Sequence, residues 1–148
     1  MKILIINGPN INFLGIREPS IYGVATYDDL LKMIADKAKE LDCSIEVFQS
    51  NHEGAIIDRI QDSYFDKTDV IIINPGAYTH YSYAIYDALC SVTIPKIEVH
   101  ITDISKREEF RRISLIKGIC NLSVVGKGVE GYLEAIEFAY KKYNKKNL

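Results

Sequence analysis

Tryptophan is absent from the 148 residues, and cysteine (three), proline (four) and methionine (two) are sparse. Cys43, Cys90 and Cys120 are odd in number and widely scattered, so they make neither a disulfide framework nor a metal motif. They read as buried thiols of a reducing cytoplasm. No apolar run approaches the roughly 20 residues of a membrane span. The N-terminus runs directly into a strand pattern, without the layout of a signal peptide. An excess of positive charge is also lacking, since 18 Lys and Arg face 20 Asp and Glu for a formal charge of −2. Nucleic-acid binding is therefore without its electrostatic footprint. The basic tail KKYNKKNL is short and reads as a frayed, solvated helix end. What is present is the balance of an ordinary globular protein, 47% hydrophobic and 26% charged. Residues 1–148 make one domain with enough chain to bury a core, free of repeats and linkers.

Five apolar, β-branched runs alternate with five helical patterns. The expected strands are Lys2–Asn7, Ser44–Gln49, Asp69–Asn74, Lys96–His100 and Ile119–Val125. Nearly continuous Ile and Val runs separated by helices point to a parallel sheet covered on both faces. Thr26 caps the first helix, whose apolar stripe is Leu30, Leu31, Ile34, Ala38 and Leu41. The later helices are expected over Gly54–Tyr64, His80–Cys90, Lys106–Lys117 and Gly128–Tyr143. The resulting class is α/β, a flavodoxin-like three-layer sandwich with a five-stranded parallel sheet.

The first strand gives way to a long connection, Asn7–Tyr22, punctuated by Gly and Pro and carrying Asn10, Arg17 and Tyr22. Long polar loops in compact domains are usually functional. The plain alternative is a surface loop whose Arg and Tyr cover apolar surface. In parallel α/β sheets the loops after the strand carboxyl ends share one rim, where ligands bind. All three histidines, His52, His80 and His100, fall at such junctions. A metal site competes for them, but no pair has the close spacing of a zinc motif. In Ile97-Glu98-Val99-His100 the period of two puts Glu98 and His100 on one face. A carboxylate there orients an imidazole and favours its proton-donating form. Gly126-Lys127-Gly128-Val129-Glu130-Gly131 matches a dinucleotide fingerprint, but it follows the last strand, where no further strand supplies a ribose-binding acid. A tight turn with close helix–sheet packing explains it better, and no cofactor is expected.

Together NGPNINFLGIREPSIYG, QSNHEGAIID, INPGAYTH with Asp87 downstream, EVHITD and REEFRR resemble type II 3-dehydroquinate dehydratase, in order from Met1 to about Tyr140. The resemblance implies a flavodoxin-like enzyme without metal or cofactor. It implies conversion of 3-dehydroquinate to 3-dehydroshikimate, in aromatic biosynthesis or quinate breakdown, by a homo-oligomer, a dodecamer of four trimers. It makes Tyr22 the base that removes the carbon 2 proton, Arg17 its cationic support and His100 the acid for the departing hydroxyl. Asn10 helps to hold a water on the enolate oxygen, and Glu98 partners His100. Asn74, His80, Asp87, Arg111 and the backbone of Ile101 and Thr102 bind substrate, with Asp87 reaching into a neighbour's site. The family usually has Leu, Ser and Asn where this chain has Ile11, Thr102 and Asp103. Thr102 keeps an amide and a hydroxyl, while Asp103 is expected to bring negative charge near an anionic substrate. A receiver domain would need acids where Asn7-Gly8-Pro9 and Asn74-Pro75-Gly76 stand, and an FMN carrier a Ser/Thr-rich loop after the first strand. A silent homologue on the same fold is the remaining rival.

Overall fold

In the computed structural model, which describes residues 1–145, five parallel strands form one sheet in the order β2-β1-β3-β4-β5. They are β1 (Lys2–Asn7), β2 (Ser44–Gln49), β3 (Val70–Asn74), β4 (Lys96–His100) and β5 (Leu122–Val125). The end of the basic tail, residues 146–148, lies outside the described residues. β1, β3 and β4 are central and almost wholly buried; β1 and β3 accordingly read as apolar runs, whereas β4 buries Lys96, Glu98 and His100 between Ile97 and Val99. β2 and β5 form the edges and are only partly buried. The helices are α1 (Pro19–Tyr22), α2 (Tyr27–Glu40), α3 (Glu53–Phe65), α4 (Tyr83–Cys90) and α5 (Glu130–Tyr143).

Alternation along each strand divides the core in two. Ile3, Ile5, Val70, Ile72, Ile97 and Val99 pack on α2 and α5. Leu4, Ile6, Ile71 and Ile73 pack on α3 and α4. The three-layer sandwich follows from burying both faces at once. Thr26 caps α2 as expected, accepting from Asp29 N at 3.0 Å while Asp29 returns a bond to Thr26 N at 2.9 Å.

The Gly126–Gly131 motif serves packing. Gly126, at φ +75°, sits so close to Asp103 that a Cβ would lie 3.1 Å from that residue's own Cβ. Gly131 lets α5 close on the sheet, since a Cβ there would meet Val124 at 3.3 Å. The N–H groups of Gly126 and Gly128 donate to the carbonyls of His100 and Ile101, each at 3.0 Å. The turn thus braces the rim end of β4.

Several expectations need correction. Lys106–Lys117 is not a helix; the segment makes isolated 3-10 turns at Ile104–Lys106 and Glu109–Arg111 and another at Lys117–Ile119. A short helix needs an apolar stripe to bury, but Phe110 and Ile113 stay exposed and only Ile116 enters the core. Tertiary bonds take the segment instead. Leu115 N–H donates to the Thr79 carbonyl at 3.0 Å, and the Ser114 hydroxyl donates to Glu98 at 2.7 Å. The last of these turns also shortens β5, which starts at Leu122. The helix expected from His80 starts at Tyr83, because Ser82 caps it by accepting from Ile85 N at 3.0 Å. His80 ends a separate 3-10 turn, Gly76–His80. The thiols are less buried than expected: Cys43 and Cys120 are half-buried, and Cys90, at the end of α4, is exposed. Burial pushes the Cys120 thiol up to about 12.

Candidate active site

The chain leaves β1 toward β2 on one side and later reaches β3 on the other, so the strand order switches between β1 and β3. Loops diverge at such a point and leave a crevice. A cleft of about 140 Å³ opens there, beyond the ends of β1, β3 and β4. Asn10, Arg17, Tyr22, Asn74, His80, His100, Ile101, Thr102 and Arg111 all line it. Asp87 does not; it stands exposed on α4. His52 is exposed at the start of α3 and also takes no part, so two of the three rim histidines reach the cleft.

The wall after β1 is shaped by tight local turns. Asn10 adopts a left-handed conformation (φ 66°), and its N–H donates to Asn51 Oδ1 at 3.1 Å. Pro19 opens the single turn of α1 and Gly23 closes it. This turn brings Tyr22 back to Arg17, whose Nη2 donates to the phenol oxygen at 3.2 Å. Its guanidinium also lies 4.5 Å from the ring centroid.

A second cation was missed by sequence reasoning. Arg107 Nη1 donates to the same phenol oxygen at 3.2 Å and reaches Thr102 Oγ1 at 3.4 Å. The bond to Tyr22 is the main cause that holds Arg107 even more firmly protonated than usual. The only signal available was its place at the head of REEFRR. Arg111 from the same segment also lines the cleft and pairs on its outer side with Glu108 at 3.2 Å.

The opposite wall is the end of β4. His100 Nε2 lies 2.9 Å from Glu98 Oε2, as the period of two requires, and both side chains are buried. Burial pushes Glu98 toward protonation, but bonds from His100, Ser123 and Ser114 outweigh it and hold the carboxyl below its usual range. A carboxylate can only accept, so Nε2 carries a hydrogen and Nδ1 is left for a ligand. Ser123, opposite Glu98 in the β4–β5 register, was a legible clue as a small hydroxyl in an apolar strand. Ser114 gave none. His80 Nδ1 bonds the Ile113 carbonyl at 2.7 Å, and must donate there. Burial is the largest cause and lowers its pKa; the bond to Ile113 opposes it, and the charges of Arg111, His100 and Arg107 add smaller pushes downward.

Three arginines and two histidines line the cleft without any Asp or Glu, so it suits a small anion. Asp103, expected to bring negative charge near the substrate, spends its carboxylate on its own segment. Its Oδ1 accepts from Ser105 N and Oγ at 3.1 and 2.6 Å, Lys106 lies 3.6 Å from Oδ2, and the residue does not line the cleft. Among the described residues no group of three or more His, Cys, Asp or Glu could hold a metal ion. No helix among them is long and apolar enough to cross a membrane.

Fold and cleft together define an α/β protein with a cationic cleft at the switch point of its sheet. The family model described as dehydroquinase class II matches residues 1–140. The 3-dehydroquinate dehydratase of Lachnospira eligens is 62% identical over 138 residues, covering 93% of this chain and 94% of that protein. That of Lachnoclostridium phytofermentans is 63% identical over 137 residues, with coverage of 93% and 94%. The crystal structure of type II dehydroquinase from Butyrivibrio crossotus superposes with a TM-score of 0.92 at 60% identity, covering 93% of this chain and 96% of that one. The chain belongs to the type II dehydroquinases, a family of hydro-lyases.

Proposed function

We propose that residues 1–148 act as a single domain that removes water from 3-dehydroquinate to give 3-dehydroshikimate, through an enolate, in aromatic biosynthesis or quinate breakdown. The observation that carries this reading is the phenol oxygen of Tyr22 held by Arg17 and Arg107, each at 3.2 Å, in the cleft that His100 also lines. An unassisted phenol is almost wholly protonated at neutral pH. Two guanidiniums bonded to its oxygen stand where the phenolate that removes the carbon 2 proton carries its charge. The charge then moves to the ketone oxygen, where a water held by Asn10 serves as donor. His100, fixed by ionised Glu98 through Nε2, delivers its proton from Nδ1 to the departing hydroxyl. Water leaves and the carbon–carbon double bond closes. Asn74 and the amides of Ile101 and Thr102 take the ring carboxylate, because strand-to-helix turns leave N–H groups free. His80 and Arg111 bind ring hydroxyls.

Appearance of the conjugated enone chromophore from 3-dehydroquinate tests the activity, and a His100→Ala variant tests the order of steps. In that variant carbon 2 should still exchange its proton with deuterium at saturating substrate, while enone formation falls. Abolished exchange in a folded variant would move His100 to the base side.

Asp87 belongs to a shared site in the same reading, within trimers of a dodecamer. Its exposed place on α4, outside its own chain's cleft, supports this, as do the exposed Phe110, Ile113, Tyr81 and Tyr83. Tyr22→Phe and Asp87→Asn chains, each nearly inactive, should complement one another after mixed reassembly. Random one-to-one mixing leaves roughly a quarter of the sites with both native residues, by assortment around a heterologous ring. Verified mixed oligomers at the parental floor would rule the shared site out.

A further inference from the structure

On the α2/α5 side of the core, a buried phenol stands among apolar side chains. Tyr132, in the first turn of α5, is wholly buried. Its hydroxyl donates to Asn7 Oδ1 at 2.7 Å and accepts from Asn74 Nδ2 at 3.0 Å. Asn7 and Asn74 are the last residues of β1 and β3 and stand opposite each other in the register. They therefore flank the switch point where the cleft opens. Asn74 Oδ1 in turn accepts from Gly76 N at 3.2 Å.

These bonds settle which way the Asn74 amide faces. Its oxygen is taken by a backbone donor and one of its two N–H groups by Tyr132, so the remaining N–H is what it offers a ligand. Without the Tyr132 oxygen, the Gly76 N–H at 3.2 Å is the one bond of this set left to hold that orientation. A phenylalanine would fill the same space but would take this partner from the buried Asn7 Oδ1 and from one Asn74 N–H. The hydroxyl is placed where both bonds fall on the rim. The glycine motif makes this reach possible, because Gly131 brings the start of α5 against Val124 and Val99 one residue before Tyr132.

We infer that Tyr132 is a positioning residue for substrate binding: through its hydroxyl it fixes the amide of Asn74, and with it the N–H that meets the anionic substrate. The inference rests on the reading of Asn74 as a substrate contact. Tyr132 itself does not line the cleft.

The test is a double-mutant cycle on the full-length enzyme, with KM and kcat measured separately and folding followed by circular dichroism. Tyr132→Phe should raise KM roughly three- to tenfold, the worth of one neutral hydrogen bond. Its kcat should change less than about twofold, because the contact is made in the ground state and the transition state alike. In an Asn74→Ala background the KM effect of Tyr132→Phe should shrink below about twofold, since the two act as one unit. Additive effects, or an unchanged KM in folded Tyr132→Phe, overturn the inference while leaving Asn74 in its role. A silent Asn74→Ala removes Asn74 from the site and takes the inference with it. Should Tyr132→Phe fail to fold, Asn7→Ala probes the same bonds from the far side, as it removes the acceptor that holds the Tyr132 hydroxyl toward Asn74. It should raise KM in the same direction, and an unchanged KM overturns the inference.

Discussion

Tyr22 rides on a single helical turn, half-buried, with its oxygen between two guanidiniums, one of them 85 residues away in sequence. His100 ends a central strand at 5% exposure, and its partner Glu98, at 1%, is bonded by two serines as well. One side of the cleft is laid on the fold by charge, and the other is part of the core. Charge across a loop can tune a base without being needed for folding. A buried carboxylate must be satisfied if the sheet is to form at all. Substitutions on the first side should therefore damage turnover and spare stability, and those on the second should damage both.

The largest effect expected is on the first side. Tyr22→Phe should lower kcat by roughly 10²–10⁴-fold, the usual contribution of general base catalysis. The half-buried ring is kept, so the melting temperature should move by no more than about 2 °C, as for an ordinary surface change. A large drop in melting temperature would break the comparison, because the loop would then be part of what holds the sheet.

Next come the two cations. Arg107→Ala and Arg17→Ala each remove one charged donor at the same distance from the same oxygen. A charge-assisted bond is worth roughly 1.5–3 kcal/mol, so each should lower kcat by about 10- to 150-fold. Both variants should melt like the native chain. An Arg107→Ala variant with native turnover would leave Arg17 as sole support and remove the long-range element from the contrast.

The same contrast explains what could be read from the sequence. Period and polarity reveal what neighbouring residues decide. The Ile runs of β1 and β3 gave the buried strands, alternation gave Glu98 beside His100, and the capping Thr26 gave the start of α2. The position of the glycine motif was enough to assign it to packing. Arg107 was missed because its partner is remote and its own segment looked helical. That helical pattern misled because Phe110 and Ile113 remain exposed while Ser114 and Leu115 bond to other elements. His52 shares the rim but not the cleft, since sequence gives the rim a residue occupies and not its reach. The resemblance supplied Asn74 and Arg111, which line the cleft, whereas no local pattern singled them out.

The smallest effect is on the second side and is best read as pH dependence. Glu98→Gln keeps the shape of the side chain. Its carbonyl can face the two donors His100 and Ser114, and its amide can face Ser123, whose hydroxyl turns to accept. What is lost is charge assistance, worth about 1–3 kcal/mol, so at pH 7 the variant should melt roughly 3–9 °C lower. Glu98 in the folded chain titrates below its ordinary value, held down by its donors against burial. Its contribution is therefore complete above the unfolded carboxylate value and is lost as pH falls through the folded one. The gap between native and Glu98→Gln melting temperatures should narrow over that acid range, while Tyr22→Phe tracks the native chain throughout. Melting curves taken from pH 7 to pH 3 read both outcomes. A gap as wide at pH 3 as at pH 7 would mean that the ionised form of Glu98 is not what the core secures, and the acid side would lose its distinction from the base side.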